Sequence, residues 1–299
     1  MSRTGSLQQI AGRTWCLYTP MAVLPFYHLS EDEVVLMDSG AQRDSTVADC
    51  FAQRGLRVAA VLYTHGHFDH VGGDRALRER FGCVRYLPEA DVGCTVPMPP
   101  RGLCGQLPEE VSHFIRDSCF VPDIPIPAGC RRLVIRGAVF SVLPCPGHTQ
   151  GHVAYTTPDQ VCYLGDLLAC SSFLSAAKLL YAADHTLDRH SKEHFLTKRF
   201  TYCVAAHRGV FPGQQLPELL GRNLARIAAA KREIAALVDR TLDEDELLER
   251  ASAALRLSPG SAVDAYINQC SIRSYLEDLV RSGTLTVQGP PGSVQYSKA

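Results

Sequence analysis

No apolar run in this 299-residue chain reaches the ~18 residues of a membrane-spanning helix. The opening stretch, MSRTGSLQQIAGRTW, lacks the apolar centre of a signal peptide. Neither sign of charge dominates. The 30 basic and 31 acidic side chains leave a net charge of −1, so no overall basic field advertises a nucleic-acid partner. No two of the 12 cysteines are spaced C-x-x-C, and in a chain of this length they do not form a secreted disulfide framework. They read as reduced, buried thiols. Internal repeats and low-complexity tracts are absent. What is present is ordinary globular composition, 46% apolar and 20% charged, enough for a large core. The expectation is a cytoplasmic protein with no membrane partner.

Strand-like runs fall at 14–19, 22–29, 33–37, 58–63, 83–87, 132–135, 139–143, 153–157, 161–164 and 202–205. Helical patterns at 46–54, 74–81, 174–180 and 189–198 separate them, which predicts a layered α/β mixture. Residues 89–129 are rich in proline and glycine, with a short helix expected over 109–117; so long a connection reads as a functional loop. Composition changes after Gly213, so two domains are expected, 1–213 and 214–299. The second reads as helices over 216–239, 244–255 and 261–282, followed by a hairpin over 284–287 and 294–297. Asp243 with Glu246 forms a capping box for the middle helix. Three helices closed by a hairpin suggest a winged-helix-like module.

The chemistry concentrates in Thr64-His65-Gly66-His67-Phe68-Asp69-His70, directly after the apolar run VAAVLY. In extended chain, His65, His67 and Asp69 would face one side, and His70 would be turned toward a second point by the following glycines. Three imidazoles and a carboxylate within six residues suit a divalent metal. A polar loop with internally satisfied histidines is the alternative, and it explains one histidine better than four alternating donors. Lone donors then recur after later strand-like runs, each with a glycine close by: His148 in PGHTQGH, Asp166 in YLGD and His207 in AAHRG. His185, His190 and His194 read as surface or substrate-side polar groups.

These residues resemble the metallo-β-lactamase superfamily, whose mark is H-x-H-x-D-H followed in order by His, Asp and His. Asp38-Ser39-Gly40, the 65–70 block, His148, Asp166 and His207 supply all five motifs. The resemblance implies a four-layered αββα sandwich, α+β in class, with a dinuclear metal site along one edge. By position it implies that His65, His67 and His148 hold one ion and that Asp69, His70 and His207 hold the other. Asp166 would bridge them, and Asp38 would support the site without binding metal. Zinc is the first expectation, with iron and manganese also compatible with this donor set. Asp69 and Asp166 are the candidate catalytic residues. The implied reaction is hydrolysis by a metal-bound hydroxide, since two divalent ions lower the pKa of bound water from ~16 to near ~7.

The block P-G-H-T-x-G-H is similar to that of the glyoxalase II branch, which points to a small ester or thioester substrate. His152, its second histidine, is expected in a supporting place. A phosphodiesterase or endoribonuclease using the same ions is the competing reading, because some superfamily members with a C-terminal winged helix are endoribonucleases. Charge argues against it. Residues 214–299 carry 10 Lys and Arg against 11 Asp and Glu, without the basic face that a duplex requires. A lid, packing or homodimer role for the C-terminal module is expected instead.

Overall fold

The computed structural model describes residues 4–41, 46–94, 109–112, 120–169, 174, 179–207, 209–290 and 293–299. A seven-stranded sheet runs in sequence order through β1 (Leu7–Ala11), β2 (Thr14–Tyr18), β3 (Val23–His28), β4 (Glu33–Met37), β5 (Arg57–Leu62), β6 (Val84–Pro88) and β7 (Ile124–Ile126). The first four strands are antiparallel; β4 to β7 are parallel. A six-stranded sheet follows: β8 (Arg132–Ile135), β9 (Ala138–Pro144), β10 (Val153–Thr156), β11 (Val161–Tyr163), β12 (Tyr202–Ala205) and β13 (Gly209–Pro212), with β13 and β8 at its edges.

The two sheets pack face to face. Val35, Met37, Ala60 and Leu62 of the first meet Val142, Tyr155, Tyr163 and Val204 of the second in one buried cluster. Helices α1 (Thr46–Ala52) and α3 (Asp74–Phe81) cover the outer face of the first sheet through Val47, Phe51 and Leu77. Between them in sequence lies α2 (Phe68–Val71), a single turn. On the outer face of the second sheet lie α4 (His185–Phe195) and α5 (Leu216–Ala236), anchored by Phe195, Leu216 and Leu220. The result is the expected αββα layering. Because both faces of the central strands are covered, β4 and β5 are near-continuous apolar runs instead of alternating ones.

Beyond α5 lie β14 (Leu242–Asp243), α6 (Glu244–Ala254), α7 (Ala262–Arg281), β15 (Leu285–Gln288) and β16 (Gln295–Lys298). The Asp243 carboxylate accepts the Glu246 N–H at 2.8 Å, so the cap read from the sequence forms. The hairpin β15–β16 is joined at its edge by β14, giving a three-stranded sheet beside three helices. Ile234, Leu247, Ile272, Leu276 and Tyr296 build a separate apolar cluster there.

Several elements depart from the sequence reading. β1, β7, β13 and β14 were not expected, and β13 extends the second sheet past 202–205. The expected helix over 174–180 lies largely outside the described residues, and that over 109–117 is helical over 109–112, where its described part ends. His113, Cys104, Cys119, Cys170 and Arg208 also lie outside them.

Candidate metal centre

Each donor follows a strand of the sandwich, and most stand at carboxyl ends, where ligand sites of open α/β sheets gather. β4 delivers Asp38, β5 the 65–70 block, β9 His148, β11 Asp166 and β12 His207. The strict alternation expected through Asp69 ends at His67, the last extended residue (φ −62°, ψ 145°). Asp69 and His70 instead sit on the single turn of α2. That turn divides the block into two groups. His65, His67 and His148 offer ring nitrogens within 4.8 Å of one another, and Asp69, His70, Asp166 and His207 form a second set under the same limit.

Asp166 stands between the groups. Its Oδ2 lies 3.4 Å from His148 Nε2, while Oδ1 lies 3.4 Å from His70 Nε2 and 3.3 Å from His207 Nε2. Asp69 Oδ2 is 3.2 Å from His207 Nε2. All seven donors named from the sequence are thus brought together.

The ring orientations fit cations. Asp38 Oδ2 accepts from His70 Nδ1 at 2.7 Å. Thr64 Oγ1 donates to Asp38 Oδ2 and accepts from His65 Nδ1 at 3.0 Å. The carbonyls of Tyr181 and Met21 accept from Nδ1 of His148 and His207 at 3.3 and 3.1 Å. Four rings are therefore held by one nitrogen, with Nε2 turned inward, as supporting partners of metal-bound histidines do. Nε2 of His65 is buried without a hydrogen-bond partner, a costly arrangement that a cation would relieve.

Electrostatics differ between the groups. Burial, helped by neighbouring imidazoles, holds His65 and His148 well below the usual histidine range, and burial lowers His67 to about 4. These three are neutral, the form that ligates a cation. Burial also pushes His70 down, but Asp166, Asp38 and Asp69 outweigh it and raise it to about 10. Both carboxyls are held low despite burial: His70 and His207 lower Asp69, and His207, His70 and His148 lower Asp166. The second group is thus anionic carboxylate facing imidazolium, which a divalent ion would replace.

Supporting residues were less visible in the sequence. Asp91 accepts from Thr149 Oγ1 and from Gly151 N (2.7 Å), which pins the His148 loop to the first sheet. His152 accepts the Asp166 N–H on Nε2 at 3.1 Å and faces Cys145 Sγ through Nδ1 at 3.0 Å, the supporting place expected for it. His190 and His194 are exposed. His185 is not: it is buried, its ring 4.0 Å from that of Tyr275, because the C-terminal module packs over α4. A cavity of about 570 Å³ opens beside Asp69, His148, Asp166 and His207 and runs beneath that module.

Gly147 shows how tightly this loop is fitted. Its φ is +138°, and a Cβ there would lie 2.3 Å from the Asp188 backbone of α4. Gly147→Ala is expected to destabilise the protein by about 3 kcal/mol, combining backbone strain with overpacking. Gly82→Ala, at φ +61° with open space around it, should cost only about 1 kcal/mol. Urea unfolding of both variants tests the difference; equal losses would contradict it.

Comparison with known proteins agrees with this geometry. The metallo-beta-lactamase superfamily model matches residues 26–94. A hydroxyacylglutathione hydrolase from Thiobacillus denitrificans is 38% identical over 117 residues, 38% of this chain and 35% of that protein. One from Synechococcus sp. is 32% identical over 140 residues, 44% of this chain and 45% of that protein. The chain thus spans less than half the length of these two relatives. A beta-lactamase domain protein from Burkholderia ambifaria superposes with a TM-score of 0.75 over 100% of this chain and 95% of its own, at 17% identity. A metallo-beta-lactamase family protein from Thermus thermophilus gives 0.72 over 96% and 99%, at 19% identity. With the fold matched along its length, the chain has the metallo-β-lactamase fold, and over residues 26–94, which include the 65–70 block, it is similar in sequence to the metallo-beta-lactamase superfamily.

Proposed function

We propose that the protein is a dinuclear metal-dependent hydrolase acting on a small ester or thioester. His65, His67 and His148 would hold one ion, Asp69, His70 and His207 the other, and Asp166 would serve both. The observation that carries this reading is the Asp166 carboxylate, whose two oxygens face the two donor groups separately. The curated relatives, hydroxyacylglutathione hydrolases by name, favour a thioester. We take the ions to be zinc, which suits a set of imidazoles and carboxylates.

Bound there, two divalent ions would lower the pKa of water to near ~7 and polarise a carbonyl oxygen. The chain's own residues then align the reaction. Asp69 and Asp166 border the cavity, so the donor set they belong to stands next to the reacting carbonyl. Asp38, Thr64 and the carbonyls of Met21 and Tyr181 fix the rings so that no reorientation is needed as substrate arrives. Water oxygen bonds to the acyl carbon, the carbon–sulfur bond breaks, and the thiol leaves with a proton.

The deciding assay sets a glutathione thioester against a single-stranded RNA, both with zinc-loaded protein. Thiol release that a chelator abolishes and zinc restores is the expected result. RNA cleavage with the same metal dependence would overturn the proposal in favour of a phosphodiesterase.

We further propose 1–213 as the catalytic domain and 214–299 as a winged-helix-like module that closes the cleft, its first helix α5 also covering the second sheet. Removing 214–299 should alter substrate preference or solubility; unchanged behaviour would refute the role.

A further inference from the structure

We infer that one arm of the hydrolysed substrate is apolar and lies in the cavity between the donor cluster and α7. This inference rests on the hydrolase reading and specifies its substrate class. The cavity is continuous with the donors: Asp69, His148, Asp166 and His207 form one wall. Away from them its apolar lining includes Leu167 and Leu168 beside the second sheet and Leu179 and Leu180 beside the C-terminal cluster, faced by Ile267 from α7.

Three of the polar side chains in that lining, Asn223, Ser271 and Lys192, are already engaged within the protein. Asn223 donates to the carbonyls of Ala169 and Leu219 at 2.9 and 2.8 Å and accepts the Ala169 N–H at 2.9 Å. Ser271 Oγ donates to the Ile267 carbonyl at 2.8 Å. Lys192 is buried in an ion pair with Asp188. A polar arm packed against these three would lose its hydration without gaining new partners there, which penalises it. An apolar arm gains instead from every methylene removed from water. About 570 Å³ falls within the ~300–1,000 Å³ typical of small-ligand pockets, so the space holds more than the reacting carbonyl. Arg256 and Ser258, both exposed, mark the outer rim.

The test uses zinc-loaded full-length protein and two substrate series. In one, the acyl group lengthens from acetyl to octanoyl on N-acetylcysteamine. In the other, acetyl is held constant and the thiol lengthens from ethanethiol to octanethiol. One series should show kcat/KM rising about fourfold per methylene until the cavity is filled. Ile267→Trp, which fills the cavity from α7, should cut the octyl-to-ethyl or octanoyl-to-acetyl ratio in that series at least tenfold. Flat profiles in both series would overturn the inference while leaving the hydrolase reading intact. If no thioester is cleaved, the thioester reading fails, and calorimetric binding of 1-octanol still decides the cavity's character. Binding that Ile267→Trp abolishes supports an apolar site, and no binding to the unsubstituted protein refutes it.

Discussion

Asp166→Asn is expected to lower thioester hydrolysis at least about a thousandfold, equivalent to ~4 kcal/mol of transition-state stabilisation. Asparagine keeps the size of the side chain and one oxygen but loses the charge and replaces the other oxygen with an amide nitrogen that cannot ligate. Since Oδ1 and Oδ2 face different donor groups, either orientation of the amide disables one of them. Metal content measured on the purified variant should fall from about two ions per chain to about one or fewer. His67→Ala should act similarly from the other side, by removing a nitrogen that lies 3.0 Å from His148 Nε2. Neither change touches the apolar clusters that hold the sandwich, so circular dichroism should remain that of the folded protein. Full activity in either variant would sink the assignment of these residues as metal ligands.

Much of this site was legible because its donors follow apolar strand runs and lie next to glycines. The run VAAVLY and the 65–70 block needed no tertiary information to suggest a metal. What the sequence could not display was how the block divides. Periodicity predicts Asp69 beside His65 and His67, whereas one helical turn at Phe68–Val71 moves it to the other group. Residues tied to the site over long separations were equally hidden. Tyr163 reaches Asp38 across 125 positions, and Asp91 reaches Gly151 across 60. The missed strands share a physical reason. β1 (LQQIA) has two adjacent glutamines that break the apolar alternation, β7 and β13 contain proline, and β14 has two residues, so none carries a strand pattern strong enough to read. His185 looked like a surface residue because its partner, Tyr275, is contributed by α7.

Asp38→Ala should be the most destabilising single change near the site, by about 4 kcal/mol, because it strands several buried donors at once. Asp38 is fully buried and accepts from Thr64 N and Tyr163 OH, both at 2.7 Å, as well as from Thr64 Oγ1 and His70 Nδ1. Its φ of +57° adds to the effect, since aspartate tolerates the left-handed region better than alanine. Asp38→Asn keeps that tolerance and one acceptor oxygen, so it should fall between the two. Urea midpoints in the order wild type, Asn, Ala are the expected result. A second readout separates stability from function. With Asp38 gone, His70 loses the partner that directs Nε2 inward, so zinc affinity should drop by ~10–100-fold even under conditions where the variant is folded. Unchanged affinity, read by competition with a chromophoric chelator, would mean that Asp38 serves the fold alone. Weakened affinity with a normal urea midpoint would mean the reverse, that the four hydrogen bonds orient His70 without stabilising the sandwich.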